Sequence, residues 1–312
     1  MAIYDGDKTA GEEGLLEVAR LCVMAANKVP TLTGKKVWKT EIVTGEDIES
    51  IIEVLEALGE ISPDPENKGL MGADGATLRA ILDQGMGITL LMIGGVDLHK
   101  GDLNWNCGAC GFETCAAFNK EAAKIKKQMK EMGATGIQAG PQCVWKFADY
   151  SQACGWAAAA AWQNNVENRI LGSVAMGAKL IGMMPDCFPV VGVALGPLVD
   201  TWWYSRPALP RRTREQFTQA LQRCMPQLFS GFAGRGDPLF RYSAREFQRN
   251  QMKLRPQPVS ELIAPNFKEQ IPPVVAKIGQ IRAKSLARHG IEEKDGGHSL
   301  QGMLFTLFGA SG

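Results

Sequence analysis

The chain has 312 residues, of which 45% are hydrophobic and 21% are charged, and its formal net charge is +1. This length and apolar content fit one large or two modest globular domains and exclude a disordered or fibrous protein. The near-neutral charge also argues against a protein dedicated to nucleic acid, because such proteins need a basic surplus to displace counterions from phosphate.

The hydropathy pattern bears on where the protein works. The first residues, MAIYDGDKTAG, lack the basic start and apolar run of a secretory signal peptide. All apolar stretches are shorter than the roughly 20 residues that a helix needs to cross a bilayer. We therefore expect a cytoplasmic protein without an integral membrane segment. Thiols stay reduced in the cytoplasm, so we expect clustered cysteines to bind metal rather than to form disulfides.

Helical and extended patterns alternate in the first hundred residues. Apolar side chains recur at three- and four-residue intervals in segments 12–27, 48–61 and 76–85, which predicts three helices. Residues 35–43 are predicted to be extended. The run ITLLMIGG at 88–95 is apolar throughout and contains glycines at its end, a pattern typical of a central strand that is covered on both faces.

The alternation continues after a cysteine-rich loop. Segment 113–132 is rich in alanine and basic towards its end, which predicts a helix. We predict a strand at 142–148, helices at 152–165 and 168–184, and a buried strand at 188–195. Together these elements predict an α/β or α+β fold with a mixed sheet that is flanked by helices.

Composition divides the chain into two parts. We predict an α/β core domain at 1–205 and a mostly helical or irregular extension at 206–312, which begins where RPALP interrupts the pattern. Between 211 and 290 there are 15 Lys and Arg against 5 Asp and Glu, a surplus of +10, so the rest of the chain carries −9. A basic extension on an acidic body is expected to wrap that body or a neighbouring subunit in a homo-oligomer or complex. The alternative, an extension that binds nucleic acid or an acidic partner, is disfavoured because few aromatic residues interleave with the basic ones.

The most informative segment is the cysteine-rich loop at 104–145. It contains the pattern Cys107-x2-Cys110-x4-Cys115, and a fourth cysteine follows at Cys143. Three thiolates in a tight loop with a distant fourth are typical of iron-sulfur sites, and we favour a 4Fe-4S cluster over a 2Fe-2S cluster. Structural zinc remains an alternative, although it usually uses two separated cysteine pairs. Inert or redox-sensing thiols are a further alternative.

Residues around these cysteines suit a cluster. Gly108 and Gly111 are expected to adopt positive φ, which lets backbone N–H groups approach cluster sulfurs. Cys115 lies at the start of a predicted helix, whose N-terminal dipole favours a thiolate and an anionic cluster. The remaining cysteines are predicted to be small core residues, with a role for the second and third of them in the site left open: Cys22, Cys154, Cys187 and Cys224.

Several motifs now support a family resemblance. The runs NCGACGFETCAAF and GPQC, followed by Asn-Arg at 168–169, resemble a family of bacterial and archaeal proteins that contain a ferredoxin domain. The resemblance covers roughly residues 12–200. It implies a cytoplasmic protein of anaerobic metabolism, and it implies four cluster ligands: Cys107, Cys110, Cys115 and Cys143. The chain departs from the family in having Glu167 where an aspartate is usual, and in its additional C-terminal hundred residues.

The predicted cluster leads to three functional hypotheses. The first is an iron-sulfur oxidoreductase that passes single electrons to a substrate or to a second cofactor. The second is a non-catalytic electron-transfer or assembly subunit of a larger redox complex. The third is a cluster that acts as a Lewis acid in a dehydratase, which four cysteine ligands disfavour because such sites leave one iron without a cysteine.

A flavin is the candidate second cofactor. The core resembles nitroreductase-like folds, and flavin mononucleotide would convert single electrons into hydride-equivalent chemistry. Lys28, Asn168, Arg169 and the amides around Gly192–Gly196 are the candidate ligands, although Arg169 could equally form a buried salt bridge with Glu167. His99 is the only histidine near the cysteine loop and is a candidate proton donor, with a surface or hydrogen-bonded role as the alternative. Six tryptophans near these motifs are predicted to be core or cluster-shielding residues: Trp105, Trp145, Trp156, Trp162, Trp202 and Trp203.

Overall fold

The structure is a computed structural model that describes residues 10–61, 69–131, 141–198, 202–205 and 267–292. A π-helical turn at Ala10–Gly14 leads into the first helix. The α-helices are α1 (Leu15–Lys28), α2 (Glu46–Glu60), α3 (Gly69–Asp83), α4 (Cys115–Glu131), α5 (Val144–Gln163), α6 (Gly172–Leu180), α7 (Trp202–Ser205) and α8 (Phe267–Arg288). The strands are β1 (Trp38–Val43), β2 (Thr89–Gly95), β3 (Asn168–Leu171) and β4 (Val190–Leu195). Within these described ranges no helix is both long enough and apolar enough to span a bilayer.

The four strands form one antiparallel sheet in the order β1-β2-β4-β3. Trp38 faces Gly95 across the β1–β2 pair, and Thr89 faces Leu195 across the β2–β4 pair. The short strand β3 adds an edge by pairing with β4. The predicted α+β class is confirmed, but the described sheet is antiparallel rather than mixed.

Strand β2 is the centre of the sheet, as its sequence predicts. Every residue of the strand is buried. Leu90 and Met92 belong to the core cluster on one face, whereas Leu91 and Ile93 belong to the cluster on the other. Successive side chains of a strand point to opposite faces, so an unbroken apolar run satisfies two cores at once.

Helices cover both faces of the sheet and produce three layers. Helices α2, α3, α6 and α8 contribute to one core cluster, and α1 and α5 contribute to the other. In the second cluster, α5 packs against α1 and buries Ala153, Ala157 and Ala161. Small side chains at this spacing let the two helices approach each other closely. The layer of α1 and α5 also carries the cysteine-bearing segments.

Two sequence predictions near the site are wrong. The predicted strand at 142–148 is instead the first part of α5, and the start of the predicted helix at 168–184 is strand β3. The local pattern misleads in α5 because the helix buries polar Lys146 and Asp149 and exposes apolar Phe147. Residues 168–171 form β3 because they pair with β4, and local sequence does not reveal this pairing. The helical pattern of the segment is realised only in α6.

Part of the C-terminal extension packs on the core. Helix α8 places Val274, Ile278 and Ile281 in the first core cluster. Its basic side chains meet the acidic helix α2, as where Lys277 Nζ lies 2.8 Å from a Glu60 oxygen. The predicted domain boundary at 205–206 borders residues outside the described ranges, and Cys224 also lies outside them, so the division into domains stays a prediction.

Candidate iron-sulfur site

All four cysteines of the motif line a single cavity. Cys107 and Cys110 lie in the loop that follows β2, Cys115 is the first residue of α4, and Cys143 immediately precedes α5. The four thiols are free, and the cavity wall between them is mostly apolar. Within the described part of the chain, no three His, Cys, Asp or Glu side chains are grouped as ligands of one metal ion. The four thiols thus border one cavity from three different segments of the chain.

The N-termini of two long helices meet at this cavity. Cys115 begins α4, where the Thr114 hydroxyl accepts the N–H of Ala117 at 3.1 Å as an N-cap. Cys143 occupies the N-cap position of α5 in an extended conformation. The N-terminus of a helix carries partial positive charge, which stabilises thiolates and bound anions. The sequence predicts this effect for Cys115 only, because its pattern favours a strand at 142–148.

The loop that carries the first two cysteines is held in an unusual backbone conformation. Asn106, Gly108 and Gly111 all have positive φ, at 49°, 72° and 84°. The Asn106 side chain accepts the N–H of Cys115 at 2.8 Å, which ties the loop to the start of α4. No neighbouring atom lies within 4 Å of where a side chain at either glycine would begin, so backbone conformation rather than crowding favours glycine there.

A tryptophan from α5 reaches back to the first cysteine. The indole Nε1 of Trp145 donates a hydrogen bond to the Cys107 sulfur at 3.3 Å. The pKa of the Cys107 thiol is lowered, first by the backbone N–H of Ala109 and then by this indole. Hydrogen bonds of this kind stabilise a thiolate, which is the form that binds iron. The contact joins the three-cysteine loop to the helix of the fourth cysteine.

Lys146 stabilises the residues that lead from β2 into the cysteine loop. Its ammonium group is buried and donates to the backbone oxygens of Asp97 and Lys100, at 3.0 Å each, and it also pairs with Asp102. Lys35 contacts the same Asp102 carboxylate from outside at 2.8 Å. Sequence reasoning missed this arrangement, because nothing in the sequence distinguishes a buried lysine from the exposed lysines around it.

A second polar anchor joins α5 to the loop after α1. The buried carboxylate of Asp149 accepts the N–H of Leu32 at 2.6 Å, and the N–H and hydroxyl of Thr33 at 3.0 and 2.6 Å. Ionised carboxylates form strong hydrogen bonds with backbone N–H groups. The first two turns of α5 are therefore fixed on both sides by buried charged groups.

The other candidate ligands do not line the cysteine cavity. Lys28 is exposed at the end of α1. Asn168 is buried and donates to the oxygen of Val166 at 3.2 Å. His99 is partly buried, and burial lowers its pKa, with the positive charge of Lys126 acting in the same direction.

Arg169 and Glu167 both bind the short helix α7. Arg169 donates to the oxygen of Trp203 at 2.7 Å, while the Glu167 carboxylate accepts the N–H groups of Trp202 and Trp203 at 2.8 Å each. Glu167 is the residue at which the chain departs from the resembled family. Its longer side chain holds the segment that follows β4.

The candidate amides around Gly192–Gly196 belong to strand β4 and to the residue after it. Residues 192–195 pair with β2 on one side and with β3 on the other. The N–H of Gly196 donates to the oxygen of Glu167 at 2.8 Å, and a Cβ on Gly192 would lie 2.7 Å from Val174. These glycines serve close packing in this structure.

The tryptophans near the motifs lie in different environments, and the remaining described cysteines are buried. Trp105 and Trp145 line the cavity, and Trp202 and Trp203 are buried. Trp156 and Trp162 are exposed on α5, so their assignment to the core is wrong. The described cysteines outside the motif are buried away from the cavity, and burial raises the thiol pKa of each, to about 11 in the first two: Cys22, Cys154 and Cys187.

Comparison with known proteins supports the resemblance. Residues 139–198 match the family described as "uncharacterized protein containing a ferredoxin domain (DUF2148)". This segment includes Cys143 and α5 but not the three-cysteine loop. An uncharacterized protein of Archaeoglobus fulgidus is 27% identical over 202 residues, which are 64% of this chain and 96% of the relative. No solved structure matches the chain. The predicted resemblance is confirmed.

Proposed function

We propose that Cys107, Cys110, Cys115 and Cys143 hold a 4Fe-4S cluster and that the protein is an iron-sulfur oxidoreductase of anaerobic metabolism. The observation that carries the proposal is the convergence of all four thiols on one cavity between two helix N-termini. A bound cluster would take up and release one electron at a time. Four available thiols also favour electron transfer over Lewis-acid chemistry, which needs an iron without a cysteine.

The surrounding residues suit this role. The indole of Trp145 donates to the Cys107 sulfur, and such bonds stabilise the more negative, reduced state. An edge-to-face contact between Phe112 and Phe118, with ring centroids 5.7 Å apart, forms part of the apolar wall of the cavity. Lys146 fixes the loop so that its conformation changes little when charge changes. A small change in the structure of the loop on reduction favours fast electron transfer.

The recipient of the electron is a substrate or a bound flavin mononucleotide. An electron-transfer subunit of a larger complex is a second candidate. The exposed apolar side chains of Trp105 and Val144, which line the cavity, favour it. The two candidates differ in what remains attached to the purified protein. Released flavin or another second cofactor supports the enzyme, whereas stable co-purification with a larger redox protein and no second cofactor supports the subunit.

The test is to purify the protein anaerobically and to quantify iron, sulfide, zinc and flavin on one sample, alongside absorption and electron paramagnetic resonance spectra. We expect about four irons and four sulfides per chain and a signal that appears on reduction. Cys107→Ser and Cys143→Ser should each lose iron and the signal. Cys154→Ser is the matched control, because that thiol is buried outside the cavity, and it should retain both. Zinc without sulfide would refute the proposal.

A further inference from the structure

The first turns of α5 have an inverted pattern of burial. Lys146 and Asp149 are fully buried, whereas Val144 and Phe147 are 44% and 41% exposed. Val144 lines the cysteine cavity, and so does Trp105, which is 49% exposed. Apolar side chains are rarely left in water while charged neighbours on the same helix are buried, and exposed apolar groups gathered at one place mark interaction surfaces. We call Trp105 and Val144, together with Phe147 about one helical turn beyond Val144, the apolar rim of the cavity.

The helix beside this rim is basic. Helix α4 contains five lysines against two glutamates, although the chain outside 211–290 carries a net charge of −9. The side chains of Lys120, Lys124, Lys126 and Lys127 are all exposed. At 1.5 Å per residue, the first of these lies about 7.5 Å along the helix axis from Cys115. This distance is within one Debye length at physiological ionic strength, so the charge acts on whatever approaches the cavity.

Acidic groups of the cysteine loop do not cancel this charge. Asp97 pairs with Lys100, and Asp102 lies between Lys35 and the buried Lys146. Within α4, Glu121 offsets Lys124 through a 3.3 Å contact, and the side chains of Lys120 and Lys126 are exposed beside that pair. Glu113 adds one further negative charge before the helix. The described surface around the cavity therefore combines an apolar rim with a positively charged flank.

We propose that this surface is the docking site of a small acidic electron-carrier protein of the ferredoxin class. The inference rests on the proposed function, since it names the partner that would exchange electrons with the cysteine site. The lysines of α4 steer a negatively charged carrier, and the apolar rim removes water from the contact once the two proteins meet. Cys107 is exposed at this rim, so the carrier would approach the cysteine site closely. A small, polar-flanked contact of this kind suits a transient complex.

Binding to an acidic bacterial ferredoxin, measured by isothermal titration calorimetry, tests the proposal. Lys120→Glu and Lys284→Glu form a matched pair, because each reverses one exposed helical lysine and changes net charge equally, but Lys284 lies on α8 away from the cavity. We expect Lys120→Glu to raise the Kd about 3- to 10-fold and Lys284→Glu to leave it within about 2-fold. Raising NaCl from about 20 to 300 mM should weaken wild-type binding about 10-fold or more.

A second matched pair tests the apolar rim. Phe147→Ser should weaken binding several-fold, whereas Trp162→Ser should not, because Trp162 is exposed about 22 Å further along the same helix. Equal effects within either pair, binding that is insensitive to salt, or equal affinity for a basic cytochrome would overturn the docking proposal. It would also fail if sedimentation showed that Phe147→Ser dissociates a homo-oligomer, since the rim would then be covered by a second copy.

Iron, sulfide and reduction by dithionite are measured on each preparation so that the two proposals fail separately. A preparation without iron and sulfide refutes the proposed function, and the docking proposal falls with it. A reducible cluster that accompanies any of the contrary binding results overturns the docking proposal alone.

Discussion

Replacing Lys146 with methionine tests whether the buried ammonium group organises the cysteine loop. The substitution preserves the length and apolar stem of the side chain but removes the donors to Asp97 O and Lys100 O, and the partner of Asp102. Hydrogen bonds from a charged group contribute about 1.5–3 kcal/mol each. The two carbonyls belong to partly exposed residues, so water can replace some of the lost bonds, and Asp102 keeps Lys35. We therefore expect Lys146→Met to lower the free energy of unfolding by about 3 kcal/mol.

Urea denaturation followed by tryptophan fluorescence measures this change. At an m-value of about 3 kcal/mol/M, the midpoint should fall by about 1 M. Hydrogen exchange should accelerate most in residues 96–115, because the lost contacts lie there. Lys100→Met is the control: its exposed ammonium pairs with Asp97, and such surface pairs contribute about 0–1 kcal/mol. If Lys146→Met costs no more than Lys100→Met, the loop does not depend on the buried lysine and the reasoning is refuted.

Three further predictions address the site and the core. Trp145→Phe should make the reduction potential of the site more negative, because it removes a hydrogen bond to the Cys107 sulfur, and a redox titration with unchanged iron content measures the shift. Gly94→Ala should cost about 1–3 kcal/mol of unfolding free energy, because the new Cβ would lie 2.5 Å from a cysteine side chain, whereas Gly155→Ala, with nothing within 4 Å on a helix, should stabilise by about 0.5–1 kcal/mol. Burial lowers the pKa of Lys179 to about 8 from an ordinary 10.5. The unfolded chain then holds the proton more tightly, so wild-type stability relative to Lys179→Met should rise from pH 8 to 10; a flat difference in thermal denaturation over that range would contradict the assignment.

Much of the architecture follows from local patterns in the sequence. The apolar run that forms β2 contributes side chains to both core clusters. Such a strand is predictable from sequence because few other environments accommodate an all-apolar segment of this length. The helix α4 is equally clear, since its alanines and lysines have high helix propensity and Thr114 supplies a cap. In both cases the local sequence and the tertiary environment favour the same structure.

The sequence-based predictions are wrong where tertiary contacts oppose the local pattern. Strand β3 has four residues and exists because β4 offers an unpaired edge. The start of α5 is predicted wrongly because Lys146 and Asp149 are buried while Val144 and Phe147 are exposed, so hydrophobicity does not mark the buried face of the helix. The burial of Lys146 and Asp149 depends on carbonyls and N–H groups from distant loops, and no window of local sequence contains them.

The misassignment of α5 also concealed part of the chemistry of the site. Spacing alone identified Cys143 as the distant fourth cysteine, but a strand there would offer only a thiol. A helix that starts immediately after Cys143 adds a second positive dipole to the one at Cys115, and both point to the same cavity. An anionic cluster would gain from such fixed dipoles, because the mostly apolar wall of the cavity screens them less than water does. The inverted first turns of α5 thus have two consequences: their buried charges fix the cysteine loop, and their exposed apolar side chains border the proposed route of the electron.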